Sequence, residues 1–501
     1  MRTTVLCISM TAASVRLGAQ YVPPSPPAPV PGAIDTWLRA DNPAFRAWDF
    51  GVNERLRYED KSGAGTTHAG SNYDFDSAAP TTNRNQYWLS RLMPRVGYTG
   101  DAFSVVVEAR SSYSIGDNRF NPAAAGAGLT ENDGPLQAQL AYLTFGSPTD
   151  SPVTVKVGRQ ELTYGDQRLV GSALWLNTPR TFDAVKVRYQ NAYFGVDGFA
   201  ANVVYDRRDH FNESNSQDTL SGAYFDFPGW SKTSVVEAYL FARNVARGIV
   251  TDNWSPVPAP FRLTAPQDVY TLGYHAKSKP GAFGPWDYGV ELMYQFGNRT
   301  AVFPATPVAT ALAAPRLRHQ AWAFVLQGGH TWKAAPLQPR LALIVSAASG
   351  DDATPGASST FQNLLPSNHG LYGAMDLSGL QNLEDLRLSL SGKPTAATSL
   401  AVDLHQQFLQ DTNDYWYNAA GVPRITPGAA AGSHRGFGLN PGYGSNLGQE
   451  LDLAGGWAAA HGLLLEAGIG HFFRGQYIKE SFEVMGSKDA NYLYLQATLN
   501  L

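Results

Sequence analysis

The sequence predicts an all-β fold, a transmembrane antiparallel β-barrel, from three observations. Charged residues make up only 16% of the chain and aromatic residues 12%, whereas charged residues are about 25% of a typical soluble domain. The mean hydropathy is −0.23, and no apolar run has the length that a membrane-spanning helix needs. Many segments instead alternate apolar and polar residues with a period of two, as strands between lipid and a polar lumen do.

The alternation is clearest in WDYGVELMYQFG, residues 286–297. One face of this segment carries Trp286 and Phe296, and the other carries Asp287 and Glu291. Because successive side chains of a strand point to opposite faces, the segment has one lipid-facing and one lumen-facing side. The pattern recurs along the chain, which disfavours a soluble secreted enzyme.

Turn and loop lengths predict the number of strands. Tight turns, such as Thr99-Gly100-Asp101, alternate with long polar loops. Nine long loops and eight short turns predict eighteen strands, an even number as in single-chain bacterial barrels, with short periplasmic turns and long extracellular loops. We place the strands near residues 45–58, 86–98, 102–111, 137–146, 152–162, 181–190, 192–204, 219–227, 233–243, 268–277, 286–297, 318–332, 339–349, 383–391, 398–410, 448–458, 462–473 and 491–501.

Two segments precede the predicted barrel domain, which covers residues 45–501. Residues 1–19 have the order of a secretory signal peptide, with Arg2 ahead of an apolar stretch and small residues at the cleavage site. Residues 20–44 include YVPPSPPAPVPG and are predicted to be a proline-rich periplasmic segment. The single cysteine, Cys7, lies in the signal peptide, so no disulfide or thiol chemistry is expected in the mature protein.

Basic side chains are predicted along one wall of the lumen. An eighteen-stranded barrel encloses an aqueous channel rather than a packed core, and strand parity decides which side chains face it. The C-terminal strands place mixed to acidic charges inward. The opposed charges create either a transverse field, as in diffusion porins, or a basic track that lowers the barrier for an anion. The inward cations of the N-terminal strands are Arg55, Arg57, Arg91, Arg95, Arg110, Lys156, Lys186 and Arg188.

No catalytic, metal or cofactor site is predicted. His405 points inward near Asp403, but the spacing identifies no serine or cysteine nucleophile beside it. The histidines lack the spacing of metal ligands, and the glycine-rich pieces lack the lysine and hydroxyl residue of a phosphate loop. The net charge of −4 does not suggest a nucleic-acid binder, which would be basic.

Two stretches carry a more specific pattern. The first, within residues 157–187, contains Gly158-Arg159-Gln160, Tyr164-Gly165-Asp166, Arg168, Trp175, Arg180 and Phe182-Asp183-Ala184-Val185. The second contains GQELDL, which begins at Gly448, and GIGHFFRGQYI, which begins at Gly468. Together with the hairpin around WDYGVELMYQFG, these motifs resemble the alginate-export family of bacterial outer-membrane β-barrel channels.

The resemblance implies an eighteen-stranded barrel, in agreement with the count from turns and loops. It also implies passage of an anionic polysaccharide, alginate in the named member of the family, through an arginine-lined constriction. Carried over residue by residue, the constriction arginines are expected to be Arg159, Arg168 and Arg180, with Asp166 and Asp183 as their partners. Pairing with carboxylates would hold each guanidinium in place for a passing carboxylate.

The direction of the Arg159 side chain depends on the backbone at Gly158. If Val153, Val155 and Val157 face lipid, strict alternation turns Arg159 outward, at the outer rim. A β-bulge at Gly158 would turn it into the lumen instead.

Four long loops are candidates for narrowing the lumen. The loop 163–180 is expected to fold against the lumen wall, so that its arginines form the throat of the pore. The loops 112–136, 350–382 and 411–447 are candidates for folding inward.

We therefore predict a channel of the bacterial outer membrane, not an enzyme, that passively passes an anionic polysaccharide, a saccharide or another acidic solute through a partly arginine-lined lumen. The alternative is a general diffusion porin without solute preference. The expected partners are this solute, outer-membrane lipid and lipopolysaccharide, but no nucleic acid. The barrel is expected to be a monomer that crosses the membrane with every strand.

Overall fold

A closed sheet of eighteen antiparallel strands forms the wall of the molecule. The computed structural model describes residues 32–63, 75, 84–117, 133–146, 151–205, 211–246, 248–249, 263–264, 266–300, 315–426 and 429–501. The strands are β1 (Trp48–Ser62), β2 (Arg84–Thr99), β3 (Phe103–Ile115), β4 (Asp133–Phe145), β5 (Val153–Gln160), β6 (Phe182–Gln190), β7 (Gly195–Tyr205), β8 (Glu213–Asp226), β9 (Ser234–Val245), β10 (Gln267–Ser278), β11 (Trp286–Thr300), β12 (Arg316–Thr331), β13 (Arg340–Ala348), β14 (Leu383–Gly392), β15 (Thr398–Phe408), β16 (Asn446–Ala460), β17 (Leu463–Arg474) and β18 (Ala490–Asn500). Consecutive strands pair, and β1 also pairs with β18, which closes the wall.

The predicted fold class and strand count are confirmed, and every predicted strand is present. The strand ends differ from the prediction by a few residues. Gly248–Ile249 and Leu263–Thr264 form a separate two-stranded sheet, and the short strand Ala357–Ser358 adds to the wall by pairing in parallel with β12. No helix in the described part of the chain is long and apolar enough to cross a membrane.

The two faces of the wall separate apolar from polar side chains, as the alternation predicts. In β14, Leu386, Leu388 and Leu390 are exposed on the outer face, whereas Asp385 and Ser389 are buried on the inner face. A bilayer favours this arrangement because its core solvates apolar side chains, and a closed sheet leaves no backbone edge unpaired.

Helix α1 (Ala33–Asp41) covers an open edge at the start of β1. Pairing of β1 with β18 does not reach the first residues of β1. There Phe50 N donates a hydrogen bond to Asp35 Oδ1 (2.9 Å), and Arg39 Nη2 donates to Trp48 O (2.5 Å). Side chains of α1 thus satisfy backbone groups that a neighbouring strand would otherwise pair.

The 3-10 helix Pro43–Ala47 connects α1 to the wall, so the first strand begins at Trp48 rather than at the predicted position 45. Asn42 Oδ1 accepts a hydrogen bond from Ala44 N (2.9 Å) and caps this short helix. The predicted signal peptide, 1–19, and most of the proline-rich segment lie outside the described residues.

Long loops from the extracellular ends of the strands fold into the barrel and fill its outer half. The loops 161–181, 349–382 and 409–445 contribute to one buried apolar cluster, as does the six-residue helix α2 (Gln476–Ser481). The inward folding expected for 163–180, 350–382 and 411–447 is confirmed within the described residues. Most of the loop 112–136 lies outside them. Members of the cluster include Leu162, Val170, Leu365, Tyr372, Met375, Trp416, Phe437 and Tyr477.

We expect Asp35→Ala to loosen the start of β1, because the Phe50 amide loses its buried acceptor. Hydrogen exchange at the Phe50 amide should speed up by roughly fivefold, since such a bond contributes on the order of 1 kcal/mol. Asp101→Ala, in an exposed turn between β2 and β3, is the matched control. Unchanged exchange in Asp35→Ala would show that α1 does not protect this edge.

Candidate functional site

The loops 161–181 and 349–382 meet inside the lumen and pair through their backbones. Gly171 N donates to Leu365 O (3.0 Å), and Leu365 N donates to Leu169 O (2.9 Å). This parallel bridge satisfies backbone groups that would otherwise be buried without partners. The two loops therefore form one structural unit across the barrel.

Arg180 ties the same two loops together. Its Nη1 donates to Gly171 O (3.1 Å) and to Pro366 O (2.9 Å). The structure thus places this predicted constriction arginine inside the barrel, where its guanidinium contacts carbonyl groups of both loops.

Arg168 and Asp166 lie together at the centre of a buried charge network. Arg168 Nε lies 3.0 Å from Glu291 Oε2 of the wall, and its Nη2 lies 3.7 Å from Asp166 Oδ2. Lys277 Nζ donates to Asp166 Oδ1 (2.9 Å). Burial opposes ionisation of Asp166, but a hydrogen bond from His275 and the charges of Lys277 and Arg168 outweigh it, so the pKa of this carboxyl lies well below its usual range.

Arg159 does not point into the lumen, and its expected place at the constriction is wrong. The pairing of β5 stays in register with both neighbours, with Gly158 opposite Tyr142 and Ala184, so no bulge turns the chain. Arg159 therefore lies on the same face as the exposed Val157. The alternation argument, without the bulge, was the correct one.

Asp183 lies on the outer face beside Arg159, so its predicted place at the constriction is also wrong. Arg159 Nε and Nη2 donate to the two oxygens of Asp183 at 2.9 Å each. Gly158 has a φ of +119°, and a Cβ there would lie 2.3 Å from Ala141 O. The glycine of this motif thus permits close strand approach rather than a change of face.

Arginines of the wall bind the tip of the loop 161–181, which consists of residues 174–177. Arg55 Nη1 and Arg91 Nη1 both donate to Leu174 O, each at 2.9 Å. Arg55 Nη2 and Arg91 Nη1 also donate to Leu176 O, each at 3.0 Å. The cations predicted to line the lumen here lie under the loop and hold its backbone.

Arg57 completes this contact from the neighbouring position on β1. Its Nη1 donates to Trp175 O (2.7 Å), and its guanidinium carbon lies 3.9 Å from the centre of the Trp175 ring. Arg110, on β3, donates to Pro179 O (3.1 Å). Four of the predicted lumen arginines therefore bind carbonyl groups of one loop.

Asn177 attaches the C-terminal end of the same tip to the wall by hydrogen bonds. Its fully buried amide donates to Ser90 O (3.0 Å) and Tyr113 O (3.1 Å) of the wall. Ser112 Oγ donates in turn to Asn177 O (2.6 Å). A buried asparagine with both donors satisfied fixes the position of the loop.

Trp175 contacts the other loop through a ring stack that the sequence did not reveal. Its ring and that of His369 are 3.6 Å apart and nearly parallel, at 3°. His369 Nδ1 lies 2.9 Å from Asp376 Oδ2. No periodic pattern marks residues 349–382, so sequence reasoning had no signal for this contact beyond the length of the loop.

Most cations nearer the periplasmic turns are paired within the wall. Each lies within ion-pair distance of a carboxylate on its own or a neighbouring strand, which cancels much of its field. The pairs are Arg95 with Asp49 (2.9 Å), Lys186 with Asp197 (3.2 Å), and Arg188 with Asp197 (3.0 Å) and Asp226 (2.8 Å).

Lys156 is different, since its ammonium lies 4.1 Å from the centre of the Tyr142 ring and forms no ion pair with a described carboxylate. Glu161, the first residue after β5, is near it. Burial and the neighbouring charge of Glu108 raise the pKa of Glu161 to about 7, against the opposing charges of Arg91 and Lys156.

On the opposite wall, His405 and Arg387 both pair with carboxylates. His405 Nδ1 lies 2.9 Å from Asp385 Oδ1, and Arg387 Nη2 lies 2.7 Å from Asp403 Oδ2. His405 is thus paired with a carboxylate rather than with a nucleophile. Within the described ranges, no group of three or more histidine, cysteine, aspartate or glutamate side chains could hold a metal ion.

Comparison with known proteins identifies related sequences and folds. The family model for alginate export matches residues 48–489. No curated protein matches the chain. Among solved structures, OccD3 (OpdP) of Pseudomonas aeruginosa is 11% identical with a TM-score of 0.50, and the alignment covers 91% of each chain.

The outer-membrane protein OpdK of Pseudomonas aeruginosa is similar in the same way. It is 12% identical with a TM-score of 0.51, over 90% of this chain and 98% of OpdK. A structure of OpdK with vanillate gives a TM-score of 0.52 at the same identity and coverage. These similarities show a shared barrel fold.

We expect Arg168→Ala to destabilise the loop 161–181 strongly, because it leaves Glu291 buried without its cation. Breaking a buried pair in this way costs about 3–5 kcal/mol. Hydrogen exchange of the loop and the thermal unfolding midpoint should both report it. Arg159→Ala, which removes a partly exposed pair on the outer face, should cost about 1 kcal/mol or less. Equal effects of the two substitutions would contradict the central role of Arg168.

Proposed function

Because the chain belongs to the alginate-export family, we propose that it passes an acidic solute, an anionic saccharide or a smaller carboxylate, passively through its lumen. The family and the fold are those of transport channels of the bacterial outer membrane, which such a barrel crosses with every strand. They are not those of enzymes.

The observation that carries the proposal is positive charge inside the barrel that no direct ion pair with a described carboxylate neutralises. Lys156 has no ion pair with a described carboxylate, and neither has Arg91, whose bonds go to the neutral carbonyl groups of Leu174 and Leu176. Uncompensated cations on a low-dielectric wall lower the barrier for anions and raise it for cations.

The fold of OpdK supports a carboxylate as the solute. That barrel has been crystallised with vanillate, which is itself a carboxylate. An anionic polysaccharide presents the same chemical group at every uronate unit, so the same cations favour both kinds of solute.

A general diffusion porin is the second candidate. The ion pairs of Arg95, Lys186 and Arg188 favour it, because compensated charges produce a transverse field that orients water without selecting a sign. The two candidates differ in ion preference, which a bilayer recording measures directly.

We expect an anion preference in planar bilayers that Lys156→Gln reduces. The measurement is the reversal potential across a salt gradient. Arg318→Gln is the matched control, because Arg318 is exposed on the outer face of β12 and should not change the lumen potential. A cation preference in the unsubstituted protein, unaltered by Lys156→Gln, would contradict the proposed anion path.

We expect the anion preference to depend on pH through Glu161, whose pKa is raised to about 7. Below this pH the carboxyl of Glu161 is neutral and no longer opposes the positive charges of Arg91 and Lys156. Above it the ionised carboxylate cancels part of their charge, and the anion preference should fall. Glu161→Gln should weaken the transition near pH 7, and an unchanged transition in this variant would assign it to another group, such as the neighbouring Glu108.

A further inference from the structure

A row of polar side chains crosses the outer face of the wall from β5 to β12. Each member is the direct partner of the next across neighbouring strands, so the row has no gap. Partners in register lie on the same face of a sheet, so every member shares the outward direction of Arg159. The row consists of Arg159, Asp183, Asn202, Thr219, Asn244, Asp268, Asn298 and Arg318.

The row descends along the barrel from the extracellular rim. Arg318 lies about thirteen residues from the periplasmic end of β12, whereas Thr219 lies about seven from that of β8 and Arg159 about six from that of β5. With a rise of about 3.3 Å per residue and a strand tilt of about 40°, these distances correspond to heights of roughly 33, 18 and 15 Å. The exposed rings of Tyr189 and Trp332 mark the lower edge of the apolar band. Because this band is about 25 Å tall in outer-membrane barrels, the low end of the row lies within it.

The opposite side of the barrel is apolar at the same height. Leu453 of β16 and Ile469 of β17 lie about seven and six residues from the periplasmic ends of their strands. They are 44% and 51% exposed on the outer face. Glu54 of β1 also faces outward, but it accepts a hydrogen bond from Ser90 Oγ (3.1 Å), and its partners on both neighbouring strands are leucines. The polar row thus lowers the apolar band on one side of the barrel.

The wall is also short where the row is lowest. β5 and β6 contain eight and nine residues, and Arg159 and Asp183 are each next to the extracellular end of their strand. The last pair between β4 and β5 joins Ala141 to Arg159, and Arg159 Nη1 donates to Ala138 O (3.3 Å), a carbonyl of β4 above that pair. The guanidinium and the carboxylate therefore have partners within the chain and need none from a second protein.

We propose that headgroups of the outer leaflet, rather than acyl chains, cover the outer face of β5–β8 from Arg159 and Thr219 upward, so that the bilayer is thinner on this side of the barrel. The row is continuous with the extracellular rim at Arg318, where headgroups meet any such barrel, so headgroups can follow it downward. A bilayer adapts to a short apolar face by local thinning at modest cost. The inference concerns the lipid-facing side and is independent of the solute that the lumen passes.

The experiment compares two nitroxide labels at the same height on opposite sides of the barrel. Thr219→Cys and Leu453→Cys each carry one label, in the full chain with Cys7→Ser, in vesicles of dioleoylphosphatidylcholine. Electron paramagnetic resonance measures how often each label collides with oxygen, which concentrates among acyl chains, and with a water-soluble nickel complex, which does not enter them. The ratio of nickel to oxygen collisions should be several-fold higher at Thr219 than at Leu453.

A second pair of labels, Asn202→Cys and Ile469→Cys, repeats the comparison on neighbouring strands, so the test does not depend on the folding of one variant. Equal ratios on the two sides, with oxygen collisions in excess, would overturn the inference. A label on β7 or β8 that neither reagent reaches would also overturn it, because protein rather than headgroups would then cover this face. All four labels face away from the lumen, so these outcomes are distinguishable from the ion preference that tests the proposed function.

Discussion

The hydrogen bonds from Arg55 and Arg91 to the loop tip are the contact on which the interior of this barrel depends. An eighteen-stranded wall encloses more space than its own side chains can fill. Loops must therefore close it, and the backbone groups of those loops need partners once they leave water. Arginines suit this role, because one guanidinium offers five donors and can serve several carbonyl groups at once.

The strands could be predicted from the sequence because each strand of a barrel wall faces lipid on one side and the lumen on the other. Apolar and polar residues therefore alternate with a period of two. Leu386, Leu388 and Leu390 face lipid simply because every second residue must. The same rule placed Arg159 outward, and it was the resemblance to a channel family that suggested otherwise. Local alternation was the stronger guide, since Gly158 keeps the strand in register despite its positive φ.

The interior of the barrel could be predicted only in part. The sequence predicted which arginines face inward, but strand parity does not reveal what they bind. The contact of Trp175 with His369 joins residues far apart in sequence, in loops without periodicity, so only the folded structure shows it. The field inside the lumen could not be predicted either. Arg95, Lys186 and Arg188 face the lumen as predicted, but carboxylates on adjacent strands cancel much of their charge.

The loop 161–181 combines a buried, anchored part with a half-buried tip. Its backbone pairs with the second loop near Leu169 and Gly171, and the buried network around Arg168 anchors the same segment to the wall. The tip lies beyond Ala173, where it is held by wall arginines, by Asn177 and Ser112, and by the ring contacts of Trp175 with His369 and Tyr494. The bridge between the loops and the contacts of the tip are therefore separate sets of interactions. The anchored part also supplies Leu169 and Val170 to the buried apolar cluster, whereas Leu174 and Leu176 of the tip are not among its members.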